Sequence, residues 1–148
     1  MNSIDQLKPE ARDKAKVFLR KLDAYGFLYS VLETLRTAET QAAYYAQGRE
    51  KPESVNRLRV IAGLPPISEA EAKQIITKAK KSKHQDGNAL DIVPILNKRI
   101  PWIPDTPEKV ETWKKLGEVG ESCGFSWGGR WTPLDKNGLG WDLPHFEI

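Results

Sequence analysis

Histidine is scarce in this chain of 148 residues: there are two, His84 and His145. Cysteine is scarcer still, and Cys123, being alone, excludes an internal disulfide. A free cysteine near a helix end is expected to pack as a small hydrophobe. No stretch approaches the roughly 20 consecutive apolar residues of a membrane helix, so stable membrane insertion is not expected. The opening Met1-Asn2-Ser3-Ile4-Asp5-Gln6 lacks the charged and apolar regions of a secretory signal, which predicts a cytoplasmic location unless something else releases the product. Internal repeats and low-complexity segments are missing as well. So is any helix-turn-helix pattern or interleaving of aromatic and basic residues, and nucleic acid is not an expected partner.

What is present fits one hydrophobic core. The chain is 39% hydrophobic and 29% charged, ordinary for a soluble protein, and its length leaves no room for a second sizeable module. A single domain over residues 1–148 is therefore expected, acting as a monomer. The formal net charge of +3 hides an asymmetry. Residues 1–83 carry 16 Lys plus Arg against 10 Asp plus Glu, whereas residues 84–148 carry 7 against 10. Lys73, Lys78, Lys80, Lys81 and Lys83 would favour approach to an anionic polymer such as a cell wall, or form a solvated helix face.

Punctuation residues outline the elements. Pro9 suits a first helical position and Gly26 a stop, predicting a helix to about Ala24 with Val17, Phe18 and Leu22 on its buried stripe. Phe27 to Glu33 reads as a strand. Thr37 caps a second helix that carries Gln41 and Tyr45 on one face and ends at Gly48. Pro52 to Pro66 reads as an irregular excursion, and Ser68 with Glu71 as the capping box of a helix through about Lys80. From Asn88 to Val93, alternation places Ala89, Asp91 and Val93 on one face of a strand and Leu90 and Ile92 on the other. Pro94 to Pro107 is a proline-rich connection, Thr106-Pro107 opens a helix that stops near Gly124, and Phe146-Glu147-Ile148 forms a short strand that begins at His145. The fold class expected is α+β, with a small antiparallel sheet flanked by helices.

Both histidines sit among glycines and carboxylates. The first segment is Ser82-Lys83-His84-Gln85-Asp86-Gly87-Asn88-Ala89-Leu90-Asp91, and the second is Gly140-Trp141-Asp142-Leu143-Pro144-His145-Phe146-Glu147. Zinc accepts imidazole nitrogen and carboxylate oxygen, and a catalytic site uses three protein ligands where a structural one fills four. Two histidines and an aspartate leave a place for water, which the ion acidifies while it polarises a carbonyl. With His84, Asp91 and His145 as ligands, Asp142 is the best remaining base, three residues before His145. Pro144 disfavours a regular helix there, and a tight turn serves equally well. Gly87 permits the sharp turn that returns His84 to the face of Asp91.

These segments resemble the D-alanyl-D-alanine carboxypeptidase family of zinc peptidases, which includes L-alanyl-D-glutamate endopeptidases of phage endolysins and the vancomycin-resistance D,D-dipeptidases. Ser82, His84, Gly87, Ala89 and Asp91 keep every place of the family's first pattern, and Asp142, His145, Phe146 and Glu147 match its second. A third stretch, from Leu35-Arg36-Thr37 through Gln41 to Tyr44-Tyr45-Ala46-Gln47-Gly48-Arg49, resembles a further signature. It departs from that signature at Leu35, where an aromatic is common, and at Tyr44, where leucine is common. The resemblance implies a hedgehog-like or D,D-peptidase-like fold with the metal site at the sheet. It makes His84, Asp91 and His145 the ligands of Zn2+, Asp142 the catalytic base and Arg36 the residue that steadies the oxyanion. Ser82, Gln41 and Tyr45 are expected to bind substrate. Aspartate at 142, and Gly128-Gly129-Arg130-Trp131, look more like the endopeptidase branch.

The expected function is hydrolysis of an amide in the peptidoglycan stem peptide, L-alanyl-D-glutamate in preference to terminal D-alanine. The expected setting is that of a compact endolysin without a separate wall-binding module, held in the host cytoplasm until a holin-type partner gives it access to the wall. A D-alanyl-D-alanine carboxypeptidase is the nearer alternative, and a noncatalytic zinc-bearing module of a wall-binding or virion structural protein the farther one. Plainer roles stand beside the sharp ones: an ion pair for Arg36, helix ending for Ser82, helix stabilisation for Gln41 and Tyr45, a turn for Asp86. Trp127, Trp131 and Trp141 are either core residues or walls of a cleft. Glu147 is either an exposed terminal carboxylate or the acceptor that holds the His145 imidazole.

Overall fold

A computed structural model of the chain describes residues 3–78, 80 and 83–148. Its packing forms two units, one built from Met1–Leu35 with Gly87–Ile148 and the other from Arg36–Asp86.

The first unit holds the sheet. Helix α1 (Pro9–Ala24) starts on its proline and buries Ala11, Ala15, Phe18 and Leu22. These four follow the spacing of one helical face. Val17, expected on that stripe, is instead 38% exposed, because the position before Phe18 lies about 100° round the helix. The helix closes with Gly26 at a φ of +68°, its N–H donating to the Asp23 carbonyl at 3.0 Å and that of Phe27 to the Leu22 carbonyl at 2.9 Å. That pairing satisfies two carbonyls of the last turn.

Strands β1 (Tyr29–Glu33), β2 (Ala89–Pro94), β3 (Ser126–Trp127) and β4 (His145–Glu147) form one sheet in the order β1-β2-β4-β3, every neighbouring pair antiparallel. The expected architecture is the observed one. Helix α5 (Pro107–Ser122), capped by the Thr106 hydroxyl, which accepts from the Lys109 N–H, packs on the sheet through Val110, Trp113, Leu116 and Val119. Glycines at 117 and 120 bring it close: a Cβ at Gly117 would enter the Trp127 ring, and one at Gly120 would meet the rings of Phe146 and Phe18. Phe18 meets Phe146 edge-on at 5.0 Å between ring centroids. With Leu90 and Ile92 of β2, these rings form the buried centre, and Cys123 packs against it as expected.

The second unit is helical. Helix α2 (Ala38–Ala46) begins at Thr37, whose hydroxyl accepts from the Thr40 N–H at 3.1 Å, and the chain leaves it through Gly48 at a φ of +83°. Residues 52–66, predicted to be irregular, contain helix α3 (Pro52–Ile61), started by Pro52 at its first position. The prolines at 65 and 66 break the chain only after this helical run has ended. The predicted helix from Ser68 to about Lys80 is correctly capped, the Ser68 hydroxyl accepting from the Glu71 N–H at 3.1 Å. It is nevertheless a single turn, α4 (Glu69–Ala72). The Glu71 carbonyl accepts from Gln47 Nε2 at 2.9 Å and the Ala72 carbonyl from the Gly48 N–H at 2.7 Å. Those carbonyls would otherwise accept from the next helical turn.

Candidate metal centre

Strand pairing explains how ligands distant in sequence meet. In the antiparallel register of β2 and β4, Asp91 stands directly opposite His145, and Ala89 opposite Glu147. Residues opposite one another on one face are in side-chain contact range. An Asp91 carboxylate oxygen lies 3.5 Å from His145 Nδ1, and a Glu147 carboxylate oxygen lies 2.9 Å from His145 Nε2. With the Glu147 carboxylate accepting a hydrogen bond from Nε2–H, the lone pair of Nδ1 in the neutral ring is on the side of Asp91. Glu147 thus holds the imidazole, the sharper of its two expected roles. Ala89, fully buried opposite it, leaves Glu147 room to turn back on the ring.

The approach to β4 is a tight turn, as Pro144 requires. The Asp142 carbonyl accepts from the His145 N–H at 3.2 Å, and the Pro144 carbonyl accepts from the Ile92 N–H at 2.9 Å. Asp142 is thereby placed one turn from His145 and is half-buried. Glycines admit this turn: a Cβ at Gly128 would collide with the Asp142 carbonyl, and one at Gly140 would lie 2.5 Å from the Gly128 carbonyl oxygen. Gly128 therefore lets Asp142 lie flush on the 3-10 turn, whereas a Cβ at Gly129 would enter the Trp127 ring.

His84 is 2% exposed, and its carbonyl accepts from the Arg36 N–H at 3.1 Å. Gly87, at a φ of +72°, supplies the turn beyond it, and Asp86 is the exposed turn residue expected. His84, Asp91 and His145 each offer one ligand atom, and these atoms lie within 4.8 Å of one another. The three ligands expected from the sequence are together. Two neutral imidazoles and one carboxylate are a zinc-type donor set with a coordination position to spare.

The carboxylates around His145 act on its proton. Burial opposes its charge, yet the hydrogen bonds to Asp91 and Glu147 and the negative charges of Asp142 and Asp91 outweigh burial and raise its pKa above the ordinary 6.5. The same carboxylates that favour a proton favour a cation.

Arg36 is held in place. Its Nη1 donates to Gln41 Oε1 at 2.7 Å, and its guanidinium carbon sits 5.0 Å from the centre of the Tyr44 ring. Tyr44, noted as a departure from the family's leucine, gives the cation an aromatic face. Gln41, expected among substrate-binding residues, is completely buried, so it meets a ligand only through the arginine it orients. Tyr45 is half-buried and carries the Arg49 guanidinium 4.0 Å above its ring. Ser82 lies outside the described residues. Of the three tryptophans, Trp127 is core at 1% exposure, Trp131 has its ring 5.0 Å from that of His145, and Trp141 is 54% exposed. Sequence reasoning missed Glu33, which the sheet register places opposite Asp91 across a bulge in β1. Its signal was a carboxylate at the end of a strand leading toward Arg36.

A profile of the D-alanyl-D-alanine carboxypeptidase family matches residues 76–148, the span that contains His84, Asp91, Asp142 and His145. Over that span the sequence follows this family's pattern. Among solved structures, the L-Ala D-Glu endopeptidase ChiX of Serratia marcescens is similar over 98% of this chain and 82% of its own, at 21% identity and a TM-score of 0.55. VanYB in complex with D-alanine-D-alanine is similar over 96% of this chain and 71% of its own, at 19% identity and a TM-score of 0.55. A mutant of the vancomycin-resistance D,D-pentapeptidase VanY, in complex with Zn(II), matches over 96% of this chain and 72% of its own, at 22% identity and a TM-score of 0.52. At these identities the likeness to each is one of fold. The chain thus joins the family's sequence pattern over residues 76–148, a fold shared with these peptidases and a zinc-type donor set.

Proposed function

We propose that this zinc peptidase hydrolyses the stem peptide of peptidoglycan, at the amide between L-alanine and D-glutamate. The observation that carries the reading is the convergence of His84, Asp91 and His145, with Asp142 one tight turn from a ligand. Zinc, when bound by these three residues, supplies a Lewis acid and a water made acidic near neutral pH. Asp142 takes the proton of the attacking water on its carboxylate and returns it to the leaving amine. Arg36, fixed between Gln41 and Tyr44, donates hydrogen bonds to the oxygen that gains charge. Because Gln41 and Tyr44 hold the guanidinium before substrate arrives, little reorganisation is needed during the reaction.

The bond assignment is supported by aspartate at 142, by the Gly128-Gly129-Arg130-Trp131 stretch that seats it, and by the fold likeness to an L-Ala D-Glu endopeptidase. The competing reading, a D-alanyl-D-alanine carboxypeptidase, is favoured by the family's description and by the fold likeness to VanYB bound to D-alanine-D-alanine. A noncatalytic zinc module is disfavoured by Asp142, since a structural metal site has no use for a base. An endolysin role, with a holin-type partner opening the way from the cytoplasm, forms part of the proposal.

Digestion of purified muropeptides followed by mass spectrometry tests it. Products that end in L-alanine and begin with D-glutamate are expected, and release of free D-alanine would transfer the assignment to the carboxypeptidase reading.

A further inference from the structure

Beside the ligand His145 stands a pair of tryptophans that the chemistry of hydrolysis does not use. The Trp131 ring is 5.0 Å from the His145 imidazole, and the Trp141 ring is 5.1 Å from that of Trp131, tilted at 52°. Trp131 is half-buried, whereas Trp141 leaves 54% of its surface in solvent. Exposing so much indole forgoes the burial that large aromatics normally supply.

The exposed ring is also fixed. Trp141 Nε1 donates to the Thr132 carbonyl at 3.1 Å, and the neighbouring Gly140 N–H donates to the Gly129 carbonyl at 2.6 Å. The loop between the tryptophans is tied internally by Asp135, whose side chain accepts from the N–H groups of Asn137 at 2.8 Å and Leu139 at 3.0 Å. A preorganised aromatic face gives up little conformational freedom on binding.

We infer that Trp141, backed by Trp131, is a saccharide-stacking subsite that receives the N-acetylmuramyl sugar to which the stem peptide is attached. The inference rests on the proposed L-alanyl-D-glutamate bond, because the reach of the substrate then decides the matter. One residue of extended peptide spans about 3.5 Å, so L-alanine alone separates that bond from the lactyl group of the sugar. The terminal D-alanyl-D-alanine bond is four residues, roughly 14 Å, from the same group. A platform two ring contacts from a metal ligand suits a sugar near the scissile bond and not one several residues away. The slightly positive C–H edges of a pyranose pack on the negative face of an indole, and a tilted second ring widens that face.

Two measurements on the zinc-loaded protein test the subsite. In the first, kcat and KM are compared for a disaccharide-bearing muropeptide and for the same peptide without sugar, in the wild type, Trp141→Ala and Trp141→Phe. The wild type is expected to favour the sugar-bearing substrate about tenfold through KM, Trp141→Ala to lose that preference with kcat on the bare peptide unchanged, and Trp141→Phe to recover part of it. Equal losses on both substrates, or a wild type indifferent to the sugar, would overturn the subsite. In the second, indole N–H resonances are followed by NMR as the disaccharide without peptide is added. A shift at Trp141 supports the subsite, and a silent Trp141 resonance at saturation refutes it whichever bond is cut. If the resonance shifts while digestion releases free D-alanine, the bond assignment fails and the subsite stands.

Discussion

At the scale of single residues, the cluster separates roles that a list of ligands would merge. Asp91 and Glu147 both touch the His145 ring, but on different nitrogens, so one shares the metal side and the other fixes the tautomer. Asp142, one tight turn before His145, adds its negative charge to the surroundings of the ring and is the proposed base. Asp142→Ala should therefore lower turnover by about 10²- to 10⁴-fold while zinc content, measured by atomic emission, stays equal to wild type. The pH dependence of metal binding follows from His145. Its pKa is raised in the folded apoprotein, so protonated His145 stabilises the fold below the ordinary value of 6.5, and that contribution disappears as pH rises through the raised value. Zinc needs the deprotonated ring and competes with this proton. Chelator-competition titrations should show zinc affinity falling with acidification from a pH above 6.5, and a fall that begins only below it would contradict the raised value.

At the scale of elements, the site depends on close approaches that only glycine permits. Helix α5 reaches the sheet through Gly117 and Gly120, against the rings of Trp127 and Phe146, and Phe146 lies between His145 and Glu147 in β4. Gly117→Ala should destabilise the protein by about 1–3 kcal/mol in urea unfolding, because the added methyl must displace a buried indole. Gly128→Ala acts on the turn before His145: because the added methyl meets the Asp142 carbonyl, it should lower both stability, read by urea unfolding, and kcat. Legibility in the sequence divides along the same line. Caps and starts at Pro9, Thr37, Ser68 and Thr106 were readable because each depends on one or two local residues. The length of α4 was not, since its carbonyls are taken by Gln47 and Gly48, more than 20 residues earlier. Helix α3 was hidden by the prolines beyond it, and Val17 was misplaced by a single position on the helical wheel. Strand alternation put Asp91 on the correct face, but only the register shows that Glu33 is its neighbour and that Ala89 makes room for Glu147.

At the scale of the molecule, the convergence of His84, Asp91 and His145 was legible because the donor types and their glycine-bearing contexts are rare in this chain, which has only two histidines. The environment of Arg36 was less so: the sequence suggested a role for the cation but not the Gln41 and Tyr44 that hold it. Arg36→Lys should reduce kcat more than it raises KM, since a lysine keeps the charge but loses the planar fork that Gln41 orients. No helix among the described residues is long and apolar enough to cross a membrane.

The proposed chemistry needs one ion held by three side chains, and equilibrium zinc binding measures that directly. One equivalent per chain is expected for the wild type and for Asp142→Ala, with affinity reduced by orders of magnitude in each of His84→Ala, Asp91→Ala and His145→Ala while the circular dichroism of the fold persists. Stoichiometric, tight zinc in any of those three variants would contradict the centre described here.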